Sequence, residues 1–265
     1  MNASLRLFTG IGRATLGAFA AVGYAAMLLV EALHFSAWGW RIGQPLRISA
    51  VARQMREIGA DALPIVGLLG FTVGLMLGIQ FIASLSEFGA QSQVVVAVAK
   101  SVTREFGALI TAILVAGRSG SALAARIGSM SVSQEVDALA VIGIDPVRYL
   151  VAPALLAMLV MLPALTIFAD ALAILGAALY SAPALDVTPA AYLLQTLSLL
   201  EPGDVWQGLA KSVVFALLIT LIGVSTGFSV SGGAEGVGRA TTRAVVRSIC
   251  WIIVVDMVFS FFLNR

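Results

Sequence analysis

Charged residues are scarce in this chain of 265 residues: Asp, Glu, Lys and Arg together make up 11% of it. A soluble domain uses about a quarter charged residues to cover its surface, so the scarcity excludes an ordinary soluble protein. Hydrophobic residues make up 60%, and the mean hydropathy is +1.00. The composition therefore indicates an integral membrane protein.

Cysteine and histidine are almost absent, with one residue of each, Cys250 and His34. A single cysteine cannot form an intrachain disulfide, and no residues have the spacing of metal ligands. The GRSGS stretch at 117–121 lacks the last glycine of a nucleophile elbow, and no glycine-rich stretch has the lysine of a nucleotide-binding loop. These absences lead us to expect no enzyme site, no metal site and no bound cofactor. The net charge of +2 and the lack of a basic stripe lead us to expect no nucleic-acid partner.

Long hydrophobic runs are what the sequence has in abundance. About 20 apolar residues cross a bilayer as a helix, and the run at 149–180 is long enough to require a tilt or a kink, for which Pro163 is the expected place. The chain is therefore predicted to be an all-α membrane protein, with an N-terminal region at 1–60 and a five-span domain at 61–265. The predicted spans are 62–86, 93–117, 149–180, 208–230 and 244–263.

The apolar stretch at 14–30 precedes an aromatic cluster of Phe35, Trp38 and Trp40, residues that favour the membrane interface. We expect an uncleaved helix that lies in, or dips into, the inner face of the membrane. A sixth full span and a cleaved signal peptide are the alternatives.

Arginine sets the orientation. The stretches 31–61, 117–148 and 231–247 contain ten arginines, whereas 87–92 and 181–207 contain none. Cytoplasmic loops carry the excess of positive charge, so the arginine-rich stretches are predicted to be cytoplasmic and 181–207 to be an outer loop. The glycine-rich stretch at 231–246 is predicted to be a mobile inner loop.

The cytoplasmic insertion at 118–147 predicts one short amphipathic helix of about ten residues. Ser131 or Ser133 is expected to cap its start, Gly143 to end it, and Asp145 with Pro146 to begin the next helix. Such a helix is too short to be stable alone in water, so it must pack on its own chain or on a soluble partner. Its apolar side is predicted to consist of Val136, Leu139, Ala140 and Ile142.

Several charges interrupt the predicted spans, where charged side chains usually pair or face a watery cavity. Arg104 and Glu105 lie about 17 Å down span two, and Lys211 enters span four from the same side. One interpretation is a structural ion pair with a snorkelling lysine. The other is a polar patch in an outward-open apolar cavity, where the cations meet a lipid phosphate.

Gly70, Gly74 and Gly78 form a smooth strip on span one. Small residues at this spacing let helices approach closely in lipid, which predicts packing within the chain or across a dimer. A gate that opens during transport is the alternative.

Four stretches carry a resemblance to a known family. They are "REFGALITAILVAGRSGSA" from Arg104, "GRSGSALAARIGSM" from Gly117, "EVDALAVIGIDPVRYLVAP" from Glu135, and "GGAEGVGRATTRAVV" at 232–246. The chain, from about residue 45 onward, resembles the MlaE family, the permease subunits of ABC transporters that move phospholipids between bacterial membranes and, in relatives, into chloroplasts.

The resemblance implies residues for two functions. The cytoplasmic insertion would be a coupling helix seated in a separate ATPase subunit, and the polar residues would belong to a lipid-binding cavity. Coupling positions are Glu135, Asp137, Leu139, Gly143, Asp145 and Pro146. Cavity positions are Leu77, Leu85, Phe88, Arg104, Glu105, Phe106 and Lys211.

The resemblance also implies the assembly. It consists of a homodimer in the bacterial inner membrane, two copies of a cytoplasmic ABC ATPase that binds and hydrolyses the ATP, a periplasmic MCE-domain ring, and often a STAS-type regulator. Three positions depart from the family pattern: Arg126 replaces an acidic residue, Ala108 a proline and Ala154 an arginine. Salt bridges of relatives at Arg126, and a proline bend at Ala108, are therefore not expected here.

Two other classes of protein remain open. An ion-coupled secondary transporter would use Asp170, Glu105 and Asp256 as proton or sodium sites, although the inverted repeats of such carriers are not evident. A membrane anchor without transport activity would leave the charges within the spans unexplained.

Overall fold

The structure is a computed structural model that describes residues 16–17, 20, 23–35 and 47–263. This part of the chain is helical and contains no strand. Five segments are long and apolar enough to cross a membrane, which confirms the predicted all-α, five-span class. They are Ile48–Ser86, Gln91–Val132, Val147–Ala184, Pro202–Phe228 and Gly233–Leu263.

We number the α-helices in chain order and name the π-helical turns by their residues. The α-helices are α1 (Gly23–Phe35), α2 (Ile48–Ile58), α3 (Leu63–Ser86), α4 (Val94–Ser101), α5 (Gly107–Val115), α6 (Ser121–Val132), α7 (Glu135–Val141), α8 (Ala152–Ala184), α9 (Pro189–Leu199), α10 (Pro202–Phe228) and α11 (Gly233–Leu263). The π turns are Val102–Phe106, Ala116–Gly120 and Val147–Val151.

The described part of the N-terminal region contains α1, which is too short to be counted among the five spans. Leu28 and Ala32 on α1 are buried in a core cluster with Leu123 of α6 and Leu155 of α8. The helix thus packs beside the predicted cytoplasmic ends of the spans. Trp38 and Trp40, the anchors expected from the sequence, lie outside the described residues.

The second span continues well beyond its predicted end at 117. Helix α4, the first π turn, α5, the second π turn and α6 follow one another without interruption as far as Val132. At about 1.5 Å per residue, the 42 residues measure about 63 Å, twice the thickness of a bilayer core. Fifteen residues that were read as loop are therefore helix.

The stretch predicted to be a mobile inner loop is also helical. Helix α11 begins at Gly233, next to the positive-φ residues Gly232 and Gly233, and continues without a break to Leu263. The glycines suggested a loop, but the turn needs only these two, and alanine and arginine in the following segment favour helix. The expectation of a mobile loop at 231–246 was wrong.

Helix α8 is the central helix and α3 packs along it. The glycine strip lies in this contact: a methyl group built on Gly70 would lie 2.8 Å from the Ala169 carbonyl oxygen, and one on Gly74 would overlap the backbone of Ala173. Gly78 likewise faces Ser181. The structure thus places all three glycines against α8 of the same chain.

Helix α8 passes Pro163 as one uninterrupted helix of 33 residues. Helix α11, by contrast, lies at the edge of the bundle, and only 11% of its most apolar stretch is buried. Trp251, Met257, Phe261 and Phe262 are at least half exposed on it.

Candidate functional site

Arg104 and Glu105 lie in the first π turn, Val102–Phe106. A π turn inserts an extra residue into an α-helix and is found frequently at functional sites, because it changes the direction of the side chains. The two consecutive side chains contact different residues of α10. Arg104 pairs with Asp204, and Glu105 pairs with Lys211.

A close helix contact brings these residues together. Asp204, Gly208 and Lys211 are spaced four and three residues apart, so they share one face of α10. A methyl group on Gly208 would overlap the carbonyl oxygen of Thr103 in the π turn, so only glycine permits this approach. Gly208 therefore lets Asp204 and Lys211 reach the π turn on either side of it.

Lys211 is completely buried and connects three spans. Its ammonium group pairs with Glu105, lies 3.0 Å from Asp256 Oδ1, and donates to Ser260 Oγ at 3.2 Å. Ser260 in turn donates to Glu105 Oε1 at 2.8 Å. We call Glu105, Lys211, Asp256 and Ser260 the lysine network.

The network contradicts one part of the interpretation that a structural ion pair accompanies a snorkelling lysine. A snorkelling lysine would extend its ammonium group toward water, but Lys211 is 0% exposed and its partners lie within the bundle. That part of the structural interpretation was wrong. Burial also keeps Lys211 from contacting a bound molecule directly in this conformation.

Arg104 is in a different situation, because 32% of its side chain is exposed. Its Nε donates to Asp204 Oδ1 at 2.6 Å. The Asp204 carboxylate also accepts the backbone N–H of Glu201 at 3.0 Å, in a capping box that begins α10. Lys100 lies 3.6 Å from Glu201, so four charged groups surround the start of this helix.

The apolar positions nominated for the cavity fall in two places. Leu77 is buried in a cluster with Val98 and Val102, and Leu85 and Phe106 pack against that cluster. Phe106 adjoins Glu105 in the π turn, so this cluster lies next to the polar residues. Phe88 is 82% exposed in the turn after α3 and is not part of the cluster.

Sequence reasoning missed Asp204 and Ser260. The stretch Glu201–Pro202–Gly203–Asp204 contains the signal, because an acidic pair around proline is typical of a helix start, yet span four was begun at 208. Ser260 carried no signal, since a serine in an apolar run most often bonds to its own helix.

Asp170 stands apart from these groups. It lies on α8, 9% exposed, and its Oδ1 has no hydrogen-bond partner within the described part of the chain. A methyl group on Gly107 would overlap this carboxyl group, so α5 and α8 touch here. Glu105 and Asp256, the other two residues assigned to an ion-coupled carrier, are members of the lysine network, whereas Asp170 contacts α5 at Gly107.

The insertion forms a shorter helix than expected, since α7 has seven residues. Neither Ser131 nor Ser133 caps it: Ser131 lies within α6, Ser133 ends α6, and the residue before α7 is Gln134, whose φ is 60°. Helix α6 continues so far that the serines expected to begin the next helix end this one instead. The predicted cap was therefore wrong.

The end of α7 is as expected. Gly143 has a φ of +80°, its N–H donates to the Ala140 carbonyl at 3.0 Å, and the N–H of Ile144 donates to the Leu139 carbonyl at 2.9 Å. These two bonds form a Schellman motif. Asp145 Oδ1 then accepts the N–H groups of Val147 and Arg148 at 2.8 and 3.1 Å. Asp145 thus caps the next helix with Pro146 as its first residue.

The apolar side of α7 differs from the prediction. Val136 packs against the cluster of α6 and α8, and Leu139 is half-buried. Ile142 was expected on the same side, but it is 68% exposed, next to Val141 at 86%. The helix ends before Ile142, so the helical spacing no longer applies there. Glu135 and Asp137 are exposed as well, which leaves both acidic and apolar groups accessible.

Elsewhere the described residues contain no group of three or more His, Cys, Asp or Glu side chains able to hold a metal ion.

Comparisons with known proteins agree with the sequence resemblance. The family model of the permease MlaE matches residues 51–262. A probable ABC transporter permease protein of Rickettsia felis is 36% identical over 94% of this chain and 95% of its own length.

Two further relatives carry names that mention lipids. The intermembrane phospholipid transport system permease protein MlaE of Haemophilus influenzae is 31% identical over 97% of both chains. The chloroplastic protein TRIGALACTOSYLDIACYLGLYCEROL 1 of Arabidopsis thaliana is 35% identical over 79% of this chain and 60% of its own length. The chain therefore belongs to the MlaE permease family and is a permease subunit of an ABC transporter.

Proposed function

We propose that this permease moves phospholipids between the inner and outer membranes of a bacterium through an outward-open cavity. The observation that carries the proposal is the half-buried Arg104, a cation within a span that is still one third exposed beside an apolar cluster. A phospholipid needs this combination, because its phosphate requires a cation and its acyl chains require apolar side chains. The name of the Haemophilus influenzae relative supports the same substrate class.

Within this site we assign different roles to the polar residues. Arg104 would contact the lipid phosphate, since guanidinium groups bind phosphate oxygens with two parallel hydrogen bonds. Glu105 and Lys211 would act as positioning residues, because their ion pair fixes the π turn that presents Arg104. Leu85 and Phe106 would contact the acyl chains, and the buried Leu77 would support them from behind.

The energy would come from a separate cytoplasmic ABC ATPase that binds and hydrolyses the ATP. Helix α7 supports this assignment, because Val141 and Ile142 expose apolar surface next to Glu135 and Asp137. An exposed apolar pair at the end of a seven-residue helix is costly unless another protein covers it. The position of α7 would be fixed by the residues at its end: Leu139 and Gly143 in its C-terminal motif, and Asp145 and Pro146 at the start of the next helix.

The working assembly would be a homodimer in the inner membrane. The exposed apolar face of α11 suits contact with lipid as well as with a second copy, so the dimer is proposed from membership of the family. A periplasmic MCE-domain ring and a STAS-type regulator complete the assembly that membership of this family suggests.

The deciding experiment purifies the native complex, identifies its lipids by mass spectrometry and follows labelled phospholipid in reconstituted membranes. We expect a stoichiometric ATPase, bound phospholipid and movement that requires ATP hydrolysis. Arg104→Gln should slow transport about tenfold, the loss expected for one charged hydrogen-bond site, while Arg104→Lys should retain part of the activity. Lys100→Gln is the matched control, because this neighbouring cation is equally exposed.

Two results would contradict the proposal. Transport by the chain without any ATPase, or flux driven by an ion gradient, would restore the ion-coupled carrier. A wild-type transport rate in Arg104→Gln would exclude the proposed contact between Arg104 and the lipid phosphate, but not the assignment as an ABC transporter.

A further inference from the structure

A polar cavity lies at the predicted cytoplasmic end of the bundle, away from Arg104. Its volume is about 350 Å³, within the range of small-molecule sites. No acidic residue lines it. The arginines that line it are Arg47, Arg53, Arg126 and Arg148.

Three different elements supply these arginines. Arg47 and Arg53 belong to the start and middle of α2, Arg126 to α6, and Arg148 to the π turn that begins the third span. Residues distant in sequence therefore converge on one cavity. Arg126 brings a positive charge from α6 to the arginines of α2 and of the π turn.

The cavity has an apolar side as well. Met130, Leu150 and Pro153 line it together with the arginines. Leu150 and Pro153 lie in the first turns of the third span, so the cavity is at the level where the chain enters the membrane. Helix α2 has a strongly one-sided distribution of apolar and charged residues, which is typical of a helix lying in the interface.

Arg47, Arg53 and Arg126 are only partly neutralised. Arg126 lies 3.8 Å from Glu57, with both side chains substantially exposed, and such pairs are weak. The guanidinium of Arg47 lies over the ring of Tyr149, 5.7 Å from its centroid. Arg53 has no ion-pair partner within the described ranges. The cavity thus keeps an excess of positive charge.

We propose that this cavity binds the phosphate-bearing headgroup of an anionic phospholipid from the cytoplasmic leaflet. Basic pockets between spans on the cytoplasmic side suit such headgroups, because the arginines pair with the phosphate while the apolar side receives the glycerol and the first acyl carbons. A concave site at interface level fits a lipid better than the convex surface of a protein. The site is separate from the outward cavity and does not depend on the proposed transport.

The test measures lipid binding to the purified complex, stripped of lipid in detergent, by native mass spectrometry. Phosphatidylglycerol and phosphatidylcholine with identical acyl chains are titrated separately, and inorganic phosphate is a third ligand. We expect one site per copy of the chain that is selective for phosphatidylglycerol, whereas the proposed outward site should bind both lipids alike. Arg53→Gln should weaken it about fivefold and Arg47→Gln with Arg53→Gln about twenty-five-fold, since each interfacial arginine contributes about one ion pair's attraction.

Matched variants separate this site from general charge and from the outward cavity. Arg56→Gln removes an exposed arginine of the same helix that does not line the cavity, and it should bind phosphatidylglycerol as the wild type does. Arg104→Gln alters the proposed outward site, so it should weaken binding of both lipids alike and leave the preference for phosphatidylglycerol unchanged. Arg53→Lys keeps the charge and should retain most of the affinity.

Four results would overturn the inference. They are equal binding of the two lipids, an equal loss in Arg53→Gln and Arg56→Gln, competition by inorganic phosphate at the same affinity, and loss of the ATPase subunit from the Arg53→Gln complex with lipid binding intact. The third would indicate a site for free phosphate, and the fourth a protein-docking surface.

Discussion

Lys211 Nζ lies 3.0 Å from Asp256 Oδ1. The lysine side chain is fully buried, with the carboxylates of Asp256 and Glu105 as its partners. The pair joins α10 to α11, which has few other buried residues. An ion pair within a membrane protein contributes to stability only while both signs are present, because an unpaired buried charge is costly. We therefore expect the loss of any charge in the lysine network to destabilise the packing of α11 on α10.

Lys211→Met should destabilise the protein strongly, because it leaves the Glu105 and Asp256 carboxylates without their cation. We expect a loss of about 3 kcal/mol, measured as a lower thermal unfolding midpoint in detergent. Lys100→Met removes a more exposed lysine whose partners lie 3.6 and 4.0 Å away, and should cost less than about 1 kcal/mol. Equal shifts in the two variants would mean that the network carries little energy.

Asp204 performs two functions that substitution can separate. Asp204→Asn removes the charge that pairs with Arg104 but keeps an oxygen to accept the Glu201 N–H, whereas Asp204→Ala removes both. The alanine variant should therefore be less stable than the asparagine variant by about 1 kcal/mol, the value of a helix cap. The two unfolding midpoints test this, and identical values would show that the capping box does not stabilise α10.

Gly208→Ala should push α10 away from the π turn, because its methyl group would overlap the Thr103 carbonyl. We expect a loss of about 1–3 kcal/mol and a weaker Lys211–Glu105 contact. Gly203→Ala is the control on the same helix, since nothing lies within 4 Å of its added methyl group. A stable Gly208→Ala variant with unaltered transport would show that the close approach is dispensable.

Gly74→Ala tests the contact of α3 with α8 in the same way. The added methyl group would overlap the Ala173 backbone, so the unfolding midpoint should fall by an amount equivalent to about 1–3 kcal/mol. Gly238→Ala on α11 meets nothing within 4 Å and should be neutral or slightly stabilising, because alanine favours helix. If Gly74→Ala instead changed only the oligomeric state, the strip would belong to an interface between copies.

Val141→Asp should release the ATPase without unfolding the membrane subunit. The side chain is 86% exposed, so the substitution costs the isolated chain little, but it places a charge in the apolar contact proposed for the partner. Co-purification of the two subunits measures the effect. Val187→Asp, in the turn between α8 and α9, is the control, and an ATPase retained by Val141→Asp would exclude this contact.

The five-span class was predictable because each span contains a long apolar run, and that signal depends on composition alone. The inner ends of two spans were not predictable. The second span continues as helix through the polar segment at 118–132, and α11 already includes the arginine-containing segment at 233–247. Those segments are helical by propensity and packing, while hydropathy reports only their polarity.

At the site, counting residues along each predicted span placed Arg104 and Glu105 within span two and Lys211 at the outer end of span four, on the same side of the membrane. Their partners could not be found in that way. The contacts to Asp204 and Ser260 depend on the rotation of α10 and α11 about their axes, and Gly208 permits the close approach of α10 to the π turn. A π turn leaves no mark in a periodicity of 3.6 residues, so its side-chain directions become known only from the structure.

The second span runs from the lysine network to Val132, and the two-residue turn Ser133–Gln134 joins it to α7. From Glu105 to Val132 the helix measures about 40 Å and contains a second π turn at Ala116–Gly120. If α7 moves, the displacement would pass through this short turn and then along a continuous helix to Glu105. The π turn at Ala116–Gly120 interrupts the regular α-helical hydrogen bonding, so it is where we expect this helix to bend.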